Sequence, residues 1–368
     1  MDKVSRSGGG RYVEIADELC ADVRAGKYVA ARSFPSLTRI MRRFGVARAT
    51  AAKCVDELKR RGVVFAMPRS GLAVRKANRI VGLILPGVAY SEFFPPIMSG
   101  ISRRCQEMGY GLLFGDVYSK SSAVRARQAK ALAKDLADKS VAGVIFQPLE
   151  LIDGAQRIND EIVSIFVETG IPVVLIDYDI VPPPDRSDFD LVGINNYDAG
   201  RRLADHLMSA GAKNIHFIMR HHWSASIQNR LAGVNSAISG GLVGHESANV
   251  FQGNPKDEAA VGEYLKKHNP DAIICGNDTT AVCLKQTLDR LGVRVPDDIM
   301  LAGFDDVQLA SLMSPQLTTI HQPCGGIGEM AFKTLIERIV DPSLPQREIL
   351  LAAPLVVRGS TLRTGEIR

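Results

Sequence analysis

Polar side chains that close apolar runs mark where this chain could do chemistry. Asp305 follows "IMLAGF", Asn277 follows "AIICG", Asp116 closes "YGLLFG", and Gln147 and Glu150 come after "VAGVIF". A carboxylate at the end of a buried strand can accept two hydroxyl hydrogen bonds. Arg230 begins a helix-borne apolar stretch and offers a planar fork of donors, suited to hydroxyls or to a carboxylate. Asp278, next to Asn277, is expected to cap the helix that follows. Asp177, after "IPVVLI", suits a structural role as well as a liganding one. A second candidate group is basic: "GVARATAAKCVDELKRRG", residues 45–62, carries five Lys/Arg residues beside one apolar stripe.

Catalytic patterns are missing by comparison. A nucleotide-binding enzyme of the α/β class needs G-x-G-x-x-G after its first strand, and the chain reads "LPGVAYSEFF" there. The later "GGIG" at 325–328 lacks that spacing, and neither G-x-x-x-x-G-K-[ST] nor G-x-S-x-G occurs. His221 and His222 are adjacent, so their side chains diverge instead of converging on a metal. The six cysteines, at 20, 54, 105, 275, 283 and 324, form no C-x-x-C pair. The expectation is a protein that is not an enzyme, with no cofactor and no metal.

The elements that would hold these residues fall into two regions. At 368 residues, with 46% hydrophobic and 23% charged content, the chain has room for two or three compact units. Residues 1–78 hold 17 Lys/Arg against 7 Asp/Glu, and the remainder holds 28 against 33. A small basic head on a mildly acidic body is the footprint of a polyanion-binding domain attached to something else. No apolar run reaches the ~18 residues of a membrane span. The opening "MDKVSRSGGG" lacks a secretory h-region, so a cytoplasmic setting without membrane contact is expected.

In the head, "YVEIADELCADVRA" places Tyr12, Ile15, Ala16, Leu19, Cys20 and Val23 at helical spacing. Ser36 is a plausible N-cap for a short helix carrying Leu37, Ile40, Met41 and Phe44, which Gly45 ends. A third helix follows within about three residues, completing a helix-turn-helix. Its buried stripe should be Ala51, Cys54, Val55 and Leu58, and its opposite face Ala49 and Lys53, with Asp56 and Arg60 further along. Arg48 sits at the N-terminal turn with Thr50, where a recognition helix reads bases. An arginine can grip guanine O6 and N7 with two bonds. Lys59, Arg60 and Arg61 lie at the far end and are read as a solvated cluster near the helix C-terminus. Two β-prone runs around "PRSG" then predict a hairpin wing with Arg69 and Gly71 at its tip.

From Ile80 strands and helices alternate: "IVGLILP", "YGLLFGD", "VAGVIFQP" and "IPVVLIDYD", then, past the Pro-rich "DIVPPPDRSDFD", "LVGINN", "NIHFIM", "ANVFQG", "DAIICGN" and "IMLAGFDD". Such alternation predicts an α/β class with doubly wound parallel sheets in two lobes, and a crevice at the strands' carboxyl ends.

Two resemblances follow. Residues 12–74, through "YVEIADELCADVRAGKY", "FPS", "FGVARAT", "DELKRRGVV" and "RSGLAV", resemble the winged helix-turn-helix domain of GntR-type regulators. The resemblance implies DNA contacts at Ser36, Arg48 and Thr50 and near Gly71; Ala49, Lys53 and Arg69 join them from the wheel and the hairpin. Thr38 and Ala52 stand where that family usually has arginine, which alters the base-reading set. Residues 79–365 resemble the effector domain of LacI/GalR-type regulators, a periplasmic-binding-protein-like fold. Its signatures are "VGINNYDAGRRLADHLMSAGAKNI", "QNRLAGVNSAI", "AIICGNDTTAVCLKQTLDRLGVRVPDDIMLAGFDD" and "SPQLTTIHQP". The mixture is similar to arabinose-responsive repressors. It implies residues 1–74 as the DNA-binding domain, 75–79 as linker and 80–368 as the effector-binding and dimerisation domain. Lobe one is expected over about 80–183 and 307–322, and lobe two over 186–304 and 325–368. The implied function is a homodimeric, operator-binding repressor of carbohydrate genes, and the alternative is a solute-binding protein of a transport system. Implied effector contacts are Arg230 and Asp305 above all, then Asn277, Asn196, Ser226, Gln147, Glu150 and Asp116, with Phe93 or Phe94 stacking on a sugar face.

Overall fold

The computed structural model describes residues 10–24, 27–28, 34–60, 63–67, 71–74, 78–88, 91–119, 121–150, 152, 154–182, 185–220, 224–240 and 247–363. The head opens with α1 (Arg11–Arg24), α2 (Leu37–Phe44) and α3 (Arg48–Arg60), followed by β1 (Val64–Met67) and β2 (Gly71–Val74). The apolar stripes read from the sequence meet in one core: Ile15, Ala16, Leu19, Ile40, Ala51, Cys54, Leu58 and Val64 are all buried. Gly45 ends α2 at φ +63, and its N–H donates to the Met41 carbonyl. That left-handed position costs glycine little and other residues more, which is why the turn into α3 can be so tight. β1 and β2 pair antiparallel with Met67 opposite Gly71, forming the expected hairpin.

The body continues with β3 (Ile80–Leu85), α4 (Phe94–Glu107), β4 (Gly111–Asp116), α5 (Ser122–Asp138), β5 (Gly143–Phe146), α6 (Ala155–Thr169), β6 (Val173–Ile176) and β7 (Asp190–Ile194). Then come α7 (Asn196–Ser209), β8 (Ile215–Met219), α8 (Ala225–Ile238), β9 (Asn249–Gln252), α9 (Glu258–His268), β10 (Ala272–Cys275), α10 (Asp278–Arg290) and β11 (Met300–Asp305). The chain finishes with α11 (Gln308–Leu312), β12 (Thr318–His321), α12 (Cys324–Val340), β13 (Glu348–Leu351) and β14 (Leu355–Val356). The strands form two six-stranded sheets, ordered β13-β7-β6-β5-β3-β4 and β14-β12-β11-β10-β8-β9. Every pair in them is parallel except β12 with β14. Both sheets reverse direction of growth beside their first strand, between β3 and β5 and between β8 and β10. Such a switch point leaves a crevice at the carboxyl ends of the strands.

The lobe boundaries differ from those expected. β7 (190–194) pairs with β6, so it belongs to lobe one. β12 (318–321) pairs with β11, so it belongs to lobe two. β13 then returns to lobe one beside β7, and α12 packs on α4, β5 and β6 of that lobe. Buried Asp190 fixes this return by accepting from Arg338 Nε and Nη2, both at 3.0 Å, and from the Arg347 N–H at 2.9 Å. The chain therefore crosses between lobes three times, near 195, 322 and 353. Alternating apolar periods look the same whichever sheet a strand joins, so the pattern could not reveal the crossings.

Helix pairs seal each lobe where backbones touch. A Cβ at Gly233 of α8 would stand 1.9 Å from the Tyr197 carbonyl oxygen of α7, and one at Gly200 would stand 2.0 Å from that of Arg230. Lobe one repeats the device, with Gly328 of α12 against Ile97 and Gly100 of α4 against Gly325.

Candidate functional site

Two surfaces carry the candidate residues. On the head, α3 presents Arg48, Ala49, Lys53, Asp56 and Arg60 to solvent, and Thr50 is half-buried. Ala51, Cys54, Val55 and Leu58 are buried on the other side, as the wheel predicted. Ser36 is the N-cap of α2, its hydroxyl accepting from the Arg39 N–H at 3.4 Å. The cap leaves the exposed Ser36 at the entry to the helix-turn-helix, beside exposed Arg39 and Arg42. Neither arginine was singled out from sequence; their signal was the polar side of the same short helix. Lys59 and Arg60 lie exposed in the last turn of α3, as expected, while Arg61 lies outside the described residues. They pair one turn back with Asp56 and Glu57, at 3.5 Å and 2.6 Å. At the wing, Gly71 begins β2, while Arg69 lies outside the described residues, as do His221 and His222.

The second surface is the cleft between the lobes, and Arg230 is its hub. Close approach of α7 and α8 brings Asn196 Oδ1 to 2.9 Å from Arg230 Nε. Arg230 Nη1 donates to the Gly276 carbonyl at 2.7 Å and lies 3.4 Å from Asp305 Oδ1. Its guanidinium sits 4.6 Å from the centre of the Phe304 ring, a cation–π contact. The side chain is 3% exposed, so its charge is almost wholly removed from water. Asp305 also accepts from Gln322 Nε2 at 2.7 Å. From lobe one, Asp177 accepts from Gln147 Nε2 at 3.1 Å and lies near the Ser226 hydroxyl of α8. Asp177 and Asp305 both have positive φ, +71° and +111°. Non-glycine residues held there cost on the order of 1–3 kcal/mol each, and such strain clusters at ligand sites.

Charge in the cleft is lopsided. Burial raises the Asp177 and Asp305 carboxyls above the usual aspartate range, and Arg230 only partly offsets this. Burial, and then the nearby Asp177, push Glu150 up to about 7, while a bond from Ser224 pulls the other way. Beside this cluster lies a cavity of about 430 Å³ lined by Glu150, Ile152, Tyr178, Asp179, Ser224 and Gln228 among others, with no Lys or Arg in its wall among the described residues. That volume lies in the range of small-molecule sites.

The structure brings Gln147, Glu150, Ser226, Arg230 and Asp305 together, with Asp177. Other candidates are committed elsewhere. Asn277, not Asp278, caps α10, its Oδ1 accepting from the Thr280 N–H at 2.9 Å. Its extended backbone puts it outside the helix, as a cap requires. Asp278 is fully buried, taking Thr319 Oγ1 at 2.7 Å and the Val307 N–H at 3.1 Å, and burial with Asp305 pushes it up to about 8. Asp116 accepts from the Gly87 and Val88 N–H groups at 3.0 and 3.2 Å, tying down the loop after β3. Asn196 positions Arg230. Phe94 is part of the lobe-one core, while Phe93, edge-on to it at 5.2 Å, is partly exposed. Gln322 was missed from sequence, although it follows β12 as Gln147 follows β5.

Residues 11–74 match the bacterial regulatory proteins of the gntR family, and residues 204–361 match the periplasmic binding protein-like domain. Together they define the class: a DNA-binding transcriptional regulator with a GntR-type head on a periplasmic-binding-protein-like body. Among the relatives of the chain is the HTH-type transcriptional repressor PurR of Vibrio vulnificus (strain CMCP6). It is 29% identical over 327 residues, spanning 86% of this chain and 90% of that protein. The ribose operon repressor of Escherichia coli (strain K12) is 29% identical over 319 residues, spanning 86% and 92%. A solved transcription regulator GntR from Chromobacterium violaceum superposes with a TM-score of 0.62 at 25% identity, covering 77% of this chain and 99% of that one. The chain thus joins a head similar to the gntR family to a periplasmic-binding-protein-like body, and the relatives it matches along most of its length are repressors by name.

Proposed function

We propose that this protein is a ligand-responsive repressor of carbohydrate-utilisation genes, acting in the cytoplasm as a homodimer and catalysing no reaction. One observation carries the reading: a single chain joins an exposed basic recognition helix to a two-lobed cleft whose cavity is walled by both lobes, Glu150 and Tyr178 from one and Ser224 and Gln228 from the other. Arg48 and Thr50 contact the major groove, with Lys53, Ser36 and the wing at the phosphates. Two heads read half-sites about 34 Å apart on a palindromic operator. The effector lies against Arg230, Asp305, Asp177 and Glu150. Its binding changes the lobe geometry, and with it operator affinity, only as far as it favours one geometry over the other. The name of the ribose operon repressor supports a sugar-like effector.

A transport-type solute-binding protein, the alternative, has no use for the head. Among the described residues no helix is long and apolar enough to cross a membrane. The test is binding to a genomic fragment containing the operator against random DNA of equal length, with and without a monosaccharide panel. Selective binding that changes when a sugar is added is the expected result. Equal binding to both DNAs, or none, overturns the proposal.

A further inference from the structure

The cleft is oversupplied with acceptors. Gln147 and Gln322 are 2% and 3% exposed, and each presses its amide on a carboxylate, Asp177 and Asp305 respectively. An amide packed against a carboxylate must turn its NH2 toward it, because two oxygens at that distance would repel. The amide oxygen is thereby turned away. Both Gln147 Oε1 and Gln322 Oε1 are buried without a hydrogen-bond partner, and so is Glu150 Oε2. Each lobe repeats one motif on neighbouring strands, a carboxylate backed by a glutamine: after β5 and β6 in lobe one, at β11 and after β12 in lobe two. Four of these groups, Gln147, Asp177, Asp305 and Gln322, sit at or just past strand carboxyl ends, where the crevice lies.

Arg230 is the buried cation of this cluster, half-buried Arg125 of α5 also acts on Glu150, and Arg230 Nε and Nη1 are already taken by Asn196 and Gly276. Against it stand Asp177, Asp305 and Glu150, with Asp278 behind Asp305. The cavity wall adds Asp179, which is held by Arg186 at 2.8 Å, and no base among the described residues. Orphaned buried acceptors are costly, and the partner that relieves them must bring donors. A hydroxyl brings lone pairs along with its one donor, whereas an ammonium brings three donors and no acceptor. A phosphate or carboxylate ligand would add acceptors and negative charge where both are in excess.

We propose that the effector is a positively charged, amine-bearing sugar, its ammonium set among Glu150, Asp177, Asp305 and the free oxygens of Gln147 and Gln322. This rests on the reading of the cleft as the effector site. The protonated amine supplies the donors that these oxygens lack and the charge that Arg230 and Arg125 together do not balance. The hydroxyls of the same ligand are left to Arg230 and Ser226. Sugar phosphates and uronic acids are excluded by the same charge.

The test is titration calorimetry on the full chain with matched probes: D-glucosamine, D-galactosamine and D-mannosamine against D-glucose, D-galactose and D-mannose, with glucose 6-phosphate and D-glucuronate as anions. At least one amine should bind tenfold or more tighter than its neutral parent, with no anion binding. A neutral parent that matches its amine, a binding anion, or no amine bound at all overturns the proposal. Measured above pH 7, where Glu150 has released its proton, Glu150→Gln removes one negative charge with little change of shape. It should lower the amine-to-neutral affinity ratio about tenfold; an unchanged ratio also overturns the proposal. Operator binding by the same preparation reports separately on the regulator. Protein that selects operator but prefers neutral sugars refutes only the charge assignment. Protein that binds amines but ignores operator refutes only the regulator.

Discussion

The two functional surfaces are built in opposite ways. On α3, the side chains offered to DNA are exposed, and the helix exists without them, because Ala51, Cys54, Val55 and Leu58 on its other side hold it to the head. In the cleft, the side chains offered to a ligand are also what joins one element to the next. Arg230 links α8, α7, the end of β10 and the end of β11 through Asn196, Gly276 and Asp305. An outward face can change its reading set at little cost in stability. A face folded inward cannot change one member without disturbing the others, so its ligand chemistry and its stability are tied together.

Arg230→Ala should break this contrast most visibly. It leaves Asp305 and Asp177 recessed without their cation, and loss of one partner of a buried pair costs roughly 3–5 kcal/mol. Urea denaturation should show the body unfolding early, and ligand response should be lost in any fraction that stays folded. A variant as stable as the parent would mean that Arg230 is not the hub. Gly233→Ala comes next. A Cβ 1.9 Å from the Tyr197 carbonyl forces α7 and α8 apart, and overpacking of this kind costs typically 1–3 kcal/mol. Because Asn196 and Arg230 lie on these two helices, ligand affinity should fall along with the denaturation midpoint. Unchanged affinity would show that the helix seam does not position Arg230.

Arg48→Ala tests the outward surface. Stability should stay within about 0.5 kcal/mol of the parent, as for ordinary surface changes. Affinity for the specific operator should fall by roughly 1–3 kcal/mol, with relaxed preference at one base pair. Lys53→Ala should instead weaken binding to all sequences alike and reduce the salt slope by about one. Equal losses on operator and random DNA for Arg48→Ala would assign it to phosphate.

The contrast also explains what could be read from sequence. The recognition face depends on helical period alone, so its buried and exposed residues follow directly from their order along the chain. The alternation of strands and helices likewise gave the α/β class, and strand ends gave Asp305, Gln147 and Glu150. What was hidden is relational. Asn277 and Asp278 are adjacent and equally polar, and only the extended backbone of the first decides which one caps. Asp116 resembles Asp305 as a strand-ending carboxylate, yet the loop carrying Gly87 and Val88 folds back on it. Gln322 becomes notable only once β12 is seen beside β11. The chain's crossings between lobes fall in loops whose composition does not tell the two sheets apart.

The smallest expected effect concerns proton uptake in the cleft. Glu150 is held at about 7 in the folded protein, against an ordinary value of 4.5, chiefly by burial and then by Asp177. Between those two values the folded protein keeps a proton that the unfolded chain has released. Stability from this group is therefore full below about pH 4.5, falls as pH rises toward 7, and is flat above. Charged neighbours temper the slope: Asp177 raises it, and Arg230 and Arg125 lower it. Glu150→Gln removes the titration but keeps a side chain able to meet Ser224. The variant should match the parent near pH 4.5 and exceed it at pH 8 by on the order of 1 kcal/mol, since the amide must also be desolvated. Urea midpoints measured every half pH unit would check this. If the variant runs parallel to the parent, the Glu150 carboxyl is not held in its neutral form at the edge of the cleft. The difference between the inward and outward surfaces would then lie in packing alone.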